Sequence, residues 1–132
     1  MIKTTLPIIE KSIDEAKKAL VIKERNIDVD IDTSLFAEER WESNFPANAK
    51  NETLFAYIER MHQTKRLDDK AHIVSNLKAL YCFMEGGEIS DFKSFCQMFD
   101  LSDAAYINKL IDKIKFVFGV VLNGSAASPK NL

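Results

Sequence analysis

The sequence predicts an all-α fold: a single compact domain of about six helices around a central helix, with a helix-turn-helix-like C-terminal half. Three observations carry that expectation. Apolar residues recur at spacings of three and four through most of the chain. Ser, Thr, Asp or Asn, the residues whose short side chains satisfy free helix N–H groups, stand ahead of each such run. Only one short segment, residues 27–32, alternates strictly as a strand does.

The first helix is expected over residues 7–25. Thr4 or Thr5 caps it, and Pro7 suits a first turn because its missing N–H would have no partner there. Ile9, Ile13, Ala16 and Leu20 form its apolar stripe. Residues 27–32 follow, with Ile27, Val29 and Ile31 on one face and Asp28, Asp30 and Asp32 on the other. One strand makes no sheet, so the segment reads as extended chain laid over helices. Thr33 or Ser34 caps a short helix through Ser43, which Phe45-Pro46 ends. Asn51 caps another over residues 52–63, with Leu54, Phe55, Ile58 and Met61 inward.

The central helix is expected from Asp68 or Asp69 to Glu85. Its second half, residues 80–84, is apolar all round, which requires neighbours on every side. Gly86-Gly87 would stop it, glycine being the residue that adopts the left-handed cap cheaply. Ser90 caps residues 91–99, with Phe92, Phe95, Cys96 and Phe99 inward. Ser102 caps residues 103–118, with Tyr106, Ile107, Leu110, Ile111 and Ile114 inward, and Asp103 suits that helix's positive end. Residues 1–122 thus read as one helical domain. The small, turn-forming residues 123–132 read as a flexible tail.

Composition bounds the function. The chain has 132 residues, a formal charge of −2, 46% apolar and 29% charged residues, an ordinary soluble mixture. The longest apolar run, residues 116–122, is far short of the roughly 20 residues that span a bilayer, so no membrane role is expected. The N-terminus lacks a secretory leader pattern and two cysteines fit a reducing compartment, so a cytoplasmic location is expected.

No catalytic residue stands out. Cys82 and Cys96 are unpaired in sequence, and His62 and His72 lie apart, so tetrahedral metal spacing is missing. The glycines form neither a phosphate-cradling loop nor a nucleophile elbow. Asp28, Asp30, Asp32, Leu35 and Glu39 fall on calcium-loop positions, but Thr33 holds the place where the tight turn needs glycine. No metal, no cofactor and no small-molecule substrate are implied. The chain reads as a non-enzyme.

Two surfaces remain. Residues 1–25 carry a balance of +2 and residues 26–49 a balance of −5. Aromatics border that acidic segment, so Phe36, Glu38, Glu39 and Trp41 are candidate partner-binding residues if exposed, and core residues otherwise. The second surface is the helix-turn-helix skeleton over residues 91–110. Its second helix would read a groove through Asn108, suited to adenine, and Lys109, suited to guanine or phosphate, with Lys93 and Lys113 as further DNA-binding candidates.

At residues 77–81 (Leu-Lys-Ala-Leu-Tyr), 86–89 (Gly-Gly-Glu-Ile), 91–93 (Asp-Phe-Lys), 99–101 (Phe-Asp-Leu) and Tyr106, the sequence resembles the C-terminal part of RteC-type regulators of Bacteroides conjugative elements. The resemblance covers about residues 70–117. It implies a helical, winged-helix-like region that binds DNA and regulates transcription. Where that family continues with an arginine-rich stretch, residues 107–115 here hold Lys109, Lys113 and Lys115 and no arginine. Two function classes therefore stand side by side: a small DNA-binding regulator, and a helical protein-interaction module (adaptor, chaperone, immunity or inhibitor-like) that uses the acidic segment 26–49.

Overall fold

The computed structural model describes residues 2–85 and 89–130, without the side chains of residue 85 and residues 124–130. The fold is α+β, with 56% helix and 23% strand, not all-α. Two long strands, β1 (Ile2–Asp14) and β2 (Ala19–Ile31), form an antiparallel hairpin in which Ile2 faces Ile31 and Asp14 faces Ala19. A two-residue strand, β3 (Met84–Glu85), adds to the base of β2. The helices are α1 (Leu35–Asn44), α2 (Pro46–Ala49), α3 (Leu54–Gln63), α4 (Ile73–Phe83), α5 (Phe92–Cys96) and α6 (Ala104–Lys130). Short 3-10 turns at Arg66–Asp68 and Lys70–His72 lead into α4.

The helix expected over residues 7–25 is thus two strands and a turn, and the helical-bundle expectation falls with it. The physical reason lies in the partner it supplies. Residues 27–31 need a neighbour to form a sheet, and residues 2–8 provide one. Leu6 and Ile8 join Ile27, Val29 and Ile31 as buried side chains, each contributing roughly 1.5–3 kcal/mol. The helical stripe would have buried Ile13 and Leu20 instead, and these are exposed. Pro7 fits because β1 is the outer strand, where a missing N–H breaks no sheet bond. The turn lacks the glycine that marks most tight hairpins. Lys18 takes the left-handed conformation instead (φ 51°), and Asp14 Oδ1 accepts the Lys17 N–H at 3.1 Å.

The hairpin has two unlike halves. Its base is core. Between Glu10 and Glu24 no residue is buried, so the far half stands clear of the helices as an arm. The base is fastened along the outer edge of β1. Ile9 N–H donates to Met98 O at 2.8 Å, and the Tyr106 hydroxyl donates to Pro7 O at 2.8 Å. The Lys11 ammonium meets the buried carboxylate of Asp100, which also accepts from the Ser102 N–H and hydroxyl. Lys11 first, then Ser102, hold the Asp100 carboxyl well below the usual carboxylate range.

α4 is the hub, with Leu77, Ala79, Leu80, Cys82 and Phe83 buried and α1, α3, α5 and α6 packed against it. Val74 remains exposed, so the helix is covered on most sides rather than all. The glycines expected to end it, Gly86-Gly87, lie outside the described residues. α5 rests on α4 through Tyr81, whose ring lies 5.6 Å from Phe92 and 5.5 Å from Phe95. α6 packs on α3, α4 and the Arg66–Asp68 turn and also on β1, so the C-terminal half is not a free-standing helix-turn-helix. The α6 backbone stays helical through Lys130, across most of the segment expected as a tail.

Two outcomes follow for stability. Lys18→Gly relieves left-handed strain of about 1–2 kcal/mol and adds chain entropy of about 0.5–1 kcal/mol to the unfolded state. Urea denaturation should therefore show a net gain of about 0.5 kcal/mol; a loss would refute the turn geometry. Because the folded-state pKa of Asp100 is depressed, its contribution is complete above the unfolded carboxylate value of about 4 and is lost as pH falls below it. Asp100→Asn should flatten the acid limb of the stability–pH curve, and an unchanged limb would contradict the role given to this ion pair.

Candidate functional site

A cleft of about 550 Å³ opens where the hairpin base meets α1, α3, α4 and α6. Its floor is made by Ala37, Leu54, Phe83 and Val121, all buried. Its rim is apolar and open: Leu35 is 87% exposed, Phe55 43% and Ile2 39%. Phe36, beside Leu35, is also exposed, and Phe116 is exposed one turn before Val120, another lining residue. Exposed apolar side chains that cluster around a concave surface mark a contact site more often than scattered ones do.

Local sequence explains the walls. The Ser34 hydroxyl accepts the Phe36 N–H at 3.2 Å and starts α1. The Asp32 carboxylate accepts the Ser34 N–H at 2.9 Å and takes an Arg40 guanidinium contact at 3.4 Å. Ser34 is the main reason that the Asp32 carboxyl sits below its ordinary range. Arg40 also donates to Cys82 O at 3.1 Å, tying α1 to α4. Glu38 accepts the N–H groups of Leu54 and Phe55 at 2.8 and 3.0 Å. That carboxylate satisfies two otherwise unpaired donors at the positive end of α3 and fixes the α1–α3 wall.

The candidate partner-binding residues thus separate. Phe36 is exposed, with the Arg40 guanidinium 4.7 Å from its ring centroid, and Glu39 is exposed beside it. Glu38 is spent on the α3 N-terminus. Trp41 is core: it is 1% exposed, packs against Phe45 and Tyr57, and donates its indole N–H to Glu52 O at 3.0 Å.

Two of the candidate DNA-binding residues contact the hairpin. Lys109 reaches Glu24 of β2 at 3.1 Å, and Lys113 reaches the Thr4 hydroxyl at 3.2 Å. Lys115 pairs with Asp68 at 2.9 Å. Asn108 is exposed on α6, while Lys93 is exposed on α5. The calcium-loop candidates are also drawn apart. Asp28 and Asp30 alternate with the buried face of β2, Asp32 is held by Ser34 and Arg40, and Leu35 and Glu39 lie on α1. Among the described residues no group of three or more His, Cys, Asp or Glu is placed to hold a metal ion. Burial pushes the Cys82 thiol up to about 12 and raises Cys96 as well, which is the wrong direction for a nucleophile.

Sequence reasoning missed both the cleft and the arm. The signal was present in the β-branched density of residues 2–13 and in the alternation of Leu6 and Ile8. No helix among the described residues is long and apolar enough to cross a membrane. No family model, no curated protein and no solved structure matches this chain.

Glu38→Ala should cost about 2 kcal/mol in chemical denaturation, because two charge-assisted bonds to backbone N–H groups are lost. Glu39→Ala should change stability by less than about 0.5 kcal/mol, as exposed substitutions usually do. Equal costs would show that Glu38 does not cap α3.

Proposed function

We propose that this chain is a non-enzymatic protein-interaction module whose contact site is the apolar cleft between α1, α3 and α6. The observation that carries the reading is the exposure of Leu35, Phe55 and Ile2 around a buried apolar floor. A free-standing soluble chain gains nothing by leaving such a rim wet, whereas a partner segment that inserts branched or aromatic side chains removes it from water. Glu39 and Glu42, exposed on α1, favour a segment with basic residues beside its apolar ones. The adaptor, chaperone, immunity or inhibitor-like class expected from the acidic segment fits this surface better than a DNA reader does.

DNA binding is the weaker reading. Affinity for a duplex comes largely from cations free to neutralise phosphates. Lys109, Lys113 and Lys115 are engaged with Glu24, Thr4 and Asp68, and the chain as a whole carries −2.

A random peptide library displayed on phage tests the cleft, with Leu35→Asp as counter-selection. Peptides pairing apolar with basic residues should be enriched on the wild type and lost on the variant. A library that yields nothing dependent on Leu35 would sink the reading. In parallel, fluorescence anisotropy with mixed-sequence duplex at low salt should stay flat; a steep, salt-dependent rise abolished by Lys109→Glu would restore the DNA reading.

A further inference from the structure

The two edges of the hairpin are guarded unequally. Ile9 sends its N–H outward to Met98 O, and Asp32, just past β2, sends its own outward to Phe83 O. Pairing alternates along an antiparallel ladder, so the backbone groups that face outward belong to odd-numbered residues of β1 and even-numbered residues of β2. On β1, Pro7 has no N–H to offer, Ile9 is covered by Met98 and Lys11 is fixed on Asp100. Proline, lysine and a covering segment are the devices by which sheets refuse another strand. The outer end of β2 has none of them. Leu20 and Ile22 point N–H and C=O groups outward, and no backbone group among the described residues meets them. The ladder beside them, from Ile13–Leu20 to Glu10–Lys23, runs without a bulge.

Such a row of backbone groups is complementary to one thing, another extended chain. The side chains select which. If a second β2 lies antiparallel across a two-fold axis, outward residues must meet outward residues, so the axis passes through a residue and not between two. Centred on Val21, Leu20 faces the second copy's Ile22, Val21 faces Val21, and Lys23 falls opposite Ala19. Centred on Ile22, Leu20 meets Glu24 and Val21 meets Lys23; centred on Lys23, two ammonium groups collide; centred on Leu20, Ile22 faces the turn at Lys18. Only the first sets aliphatic against aliphatic throughout. Because Ile13 faces Leu20 within the hairpin, it also lines up Ile13, Leu20 and the second copy's Ile22 across one face of the sheet. Leu20, Val21 and Ile22 are 60%, 41% and 56% exposed. Two arms do not repel, since Glu10, Asp14, Glu15 and Glu24 balance Lys11, Lys17, Lys18 and Lys23. Val21 lies ten residues from Ile31, roughly 33 Å at the usual strand rise, so the helices of the two copies stand at opposite ends.

We infer that the β2 edges of two copies of this chain pair across a two-fold axis at Val21, joining their hairpins into one four-stranded antiparallel sheet. The contact is isologous and closes at two copies. It lies at the far end of the hairpin from the cleft and does not depend on the cleft reading.

Sedimentation equilibrium on the full chain, at rising concentration up to high micromolar, should show the wild type moving from one chain mass to two and no further. The Lys11–Ile22 pair exchanges no backbone bonds, so Ile22→Pro removes an outward N–H and spares the hairpin, as Pro7 does on β1. That variant, checked for folding by circular dichroism, should associate about tenfold more weakly or less than that. Val21→Cys should cross-link to itself under mild oxidation, because opposed residues that exchange no backbone bonds bring their Cα atoms to about 4.5 Å, within disulfide reach. Lys23→Cys, off the axis, should not, and the wild type controls for Cys82 and Cys96. A wild type that stays at single-chain mass overturns the inference. So does undiminished association of a folded Ile22→Pro chain, which would place the contact on side chains alone. Should Ile22→Pro fail to fold, the cysteines decide: cross-linking at neither position, or equally at both, overturns the pairing at Val21.

Discussion

The fold depends on what closes the outer edge of β1. A two-stranded hairpin has little stability alone, since each strand leaves one row of backbone groups to water and one face uncovered. Here Met98 O accepts the Ile9 N–H, the Tyr106 hydroxyl donates to the Pro7 carbonyl, and Asp100 pairs with the Lys11 ammonium. The three contacts come from one short stretch, the α5–α6 connection and the first turn of α6. They lock the hairpin base onto the helical half, so that Leu6, Ile8, Ile27, Val29 and Ile31 can be shared with the core around α4. Burial of Tyr106 raises its phenol above the ordinary range, which favours the protonated hydroxyl that donates to Pro7 O.

The same docking redirects α6. A reading helix must offer its cations outward, but the inner turns of α6 spend theirs on the hairpin, through Lys109 to Glu24 and Lys113 to Thr4. A helix-turn-helix skeleton in the sequence thus serves as a clamp. Of the five positions that such a skeleton buries, Phe95, Tyr106 and Leu110 are buried, Phe99 is half-buried and Leu101 is 62% exposed. Their pattern fits any packed helical corner, and the difference lies in what covers the opposite face.

Order and openness are divided along the chain. Side-chain to backbone bonds fix α1 beside the cleft: Ser34 caps its first turn, and Glu38, Arg40 and Trp41 each bond backbone groups of another segment. The rim side chains, Leu35, Phe55 and Ile2, have no such ties. The arm repeats this division, with a regular ladder of paired residues beneath exposed Ile13, Leu20 and Ile22. Rigid backbones that present wet apolar side chains keep the entropic cost of association low.

Much of the local structure was legible in the sequence. The cap at Ser34, the break at Phe45-Pro46, the inward residues of α6 and the strand character of residues 27–31 follow from short-range chemistry, whereas the caps expected at Asn51, Ser90 and Ser102 fall to Thr53, Asp91 and Asp103 and Phe55, expected inward, is exposed. Residues 2–25 were not legible in the same way. Their spacings fit a helix and a hairpin alike, because Ile9, Ile13, Ala16 and Leu20 recur at three and four while Leu6 and Ile8 alternate. Only the tertiary structure decided between them, since the strand pairing of residues 2–8 gains its energy from Ile27, Val29 and Ile31 across the ladder and from Met98 and Tyr106 far along the chain. It likewise decided that Trp41 is core, that Glu38 is a helix cap and that Lys109 and Lys113 of α6 face the hairpin: each outcome depends on a partner that is remote in sequence, and periodicity carries no information about which remote group stands opposite.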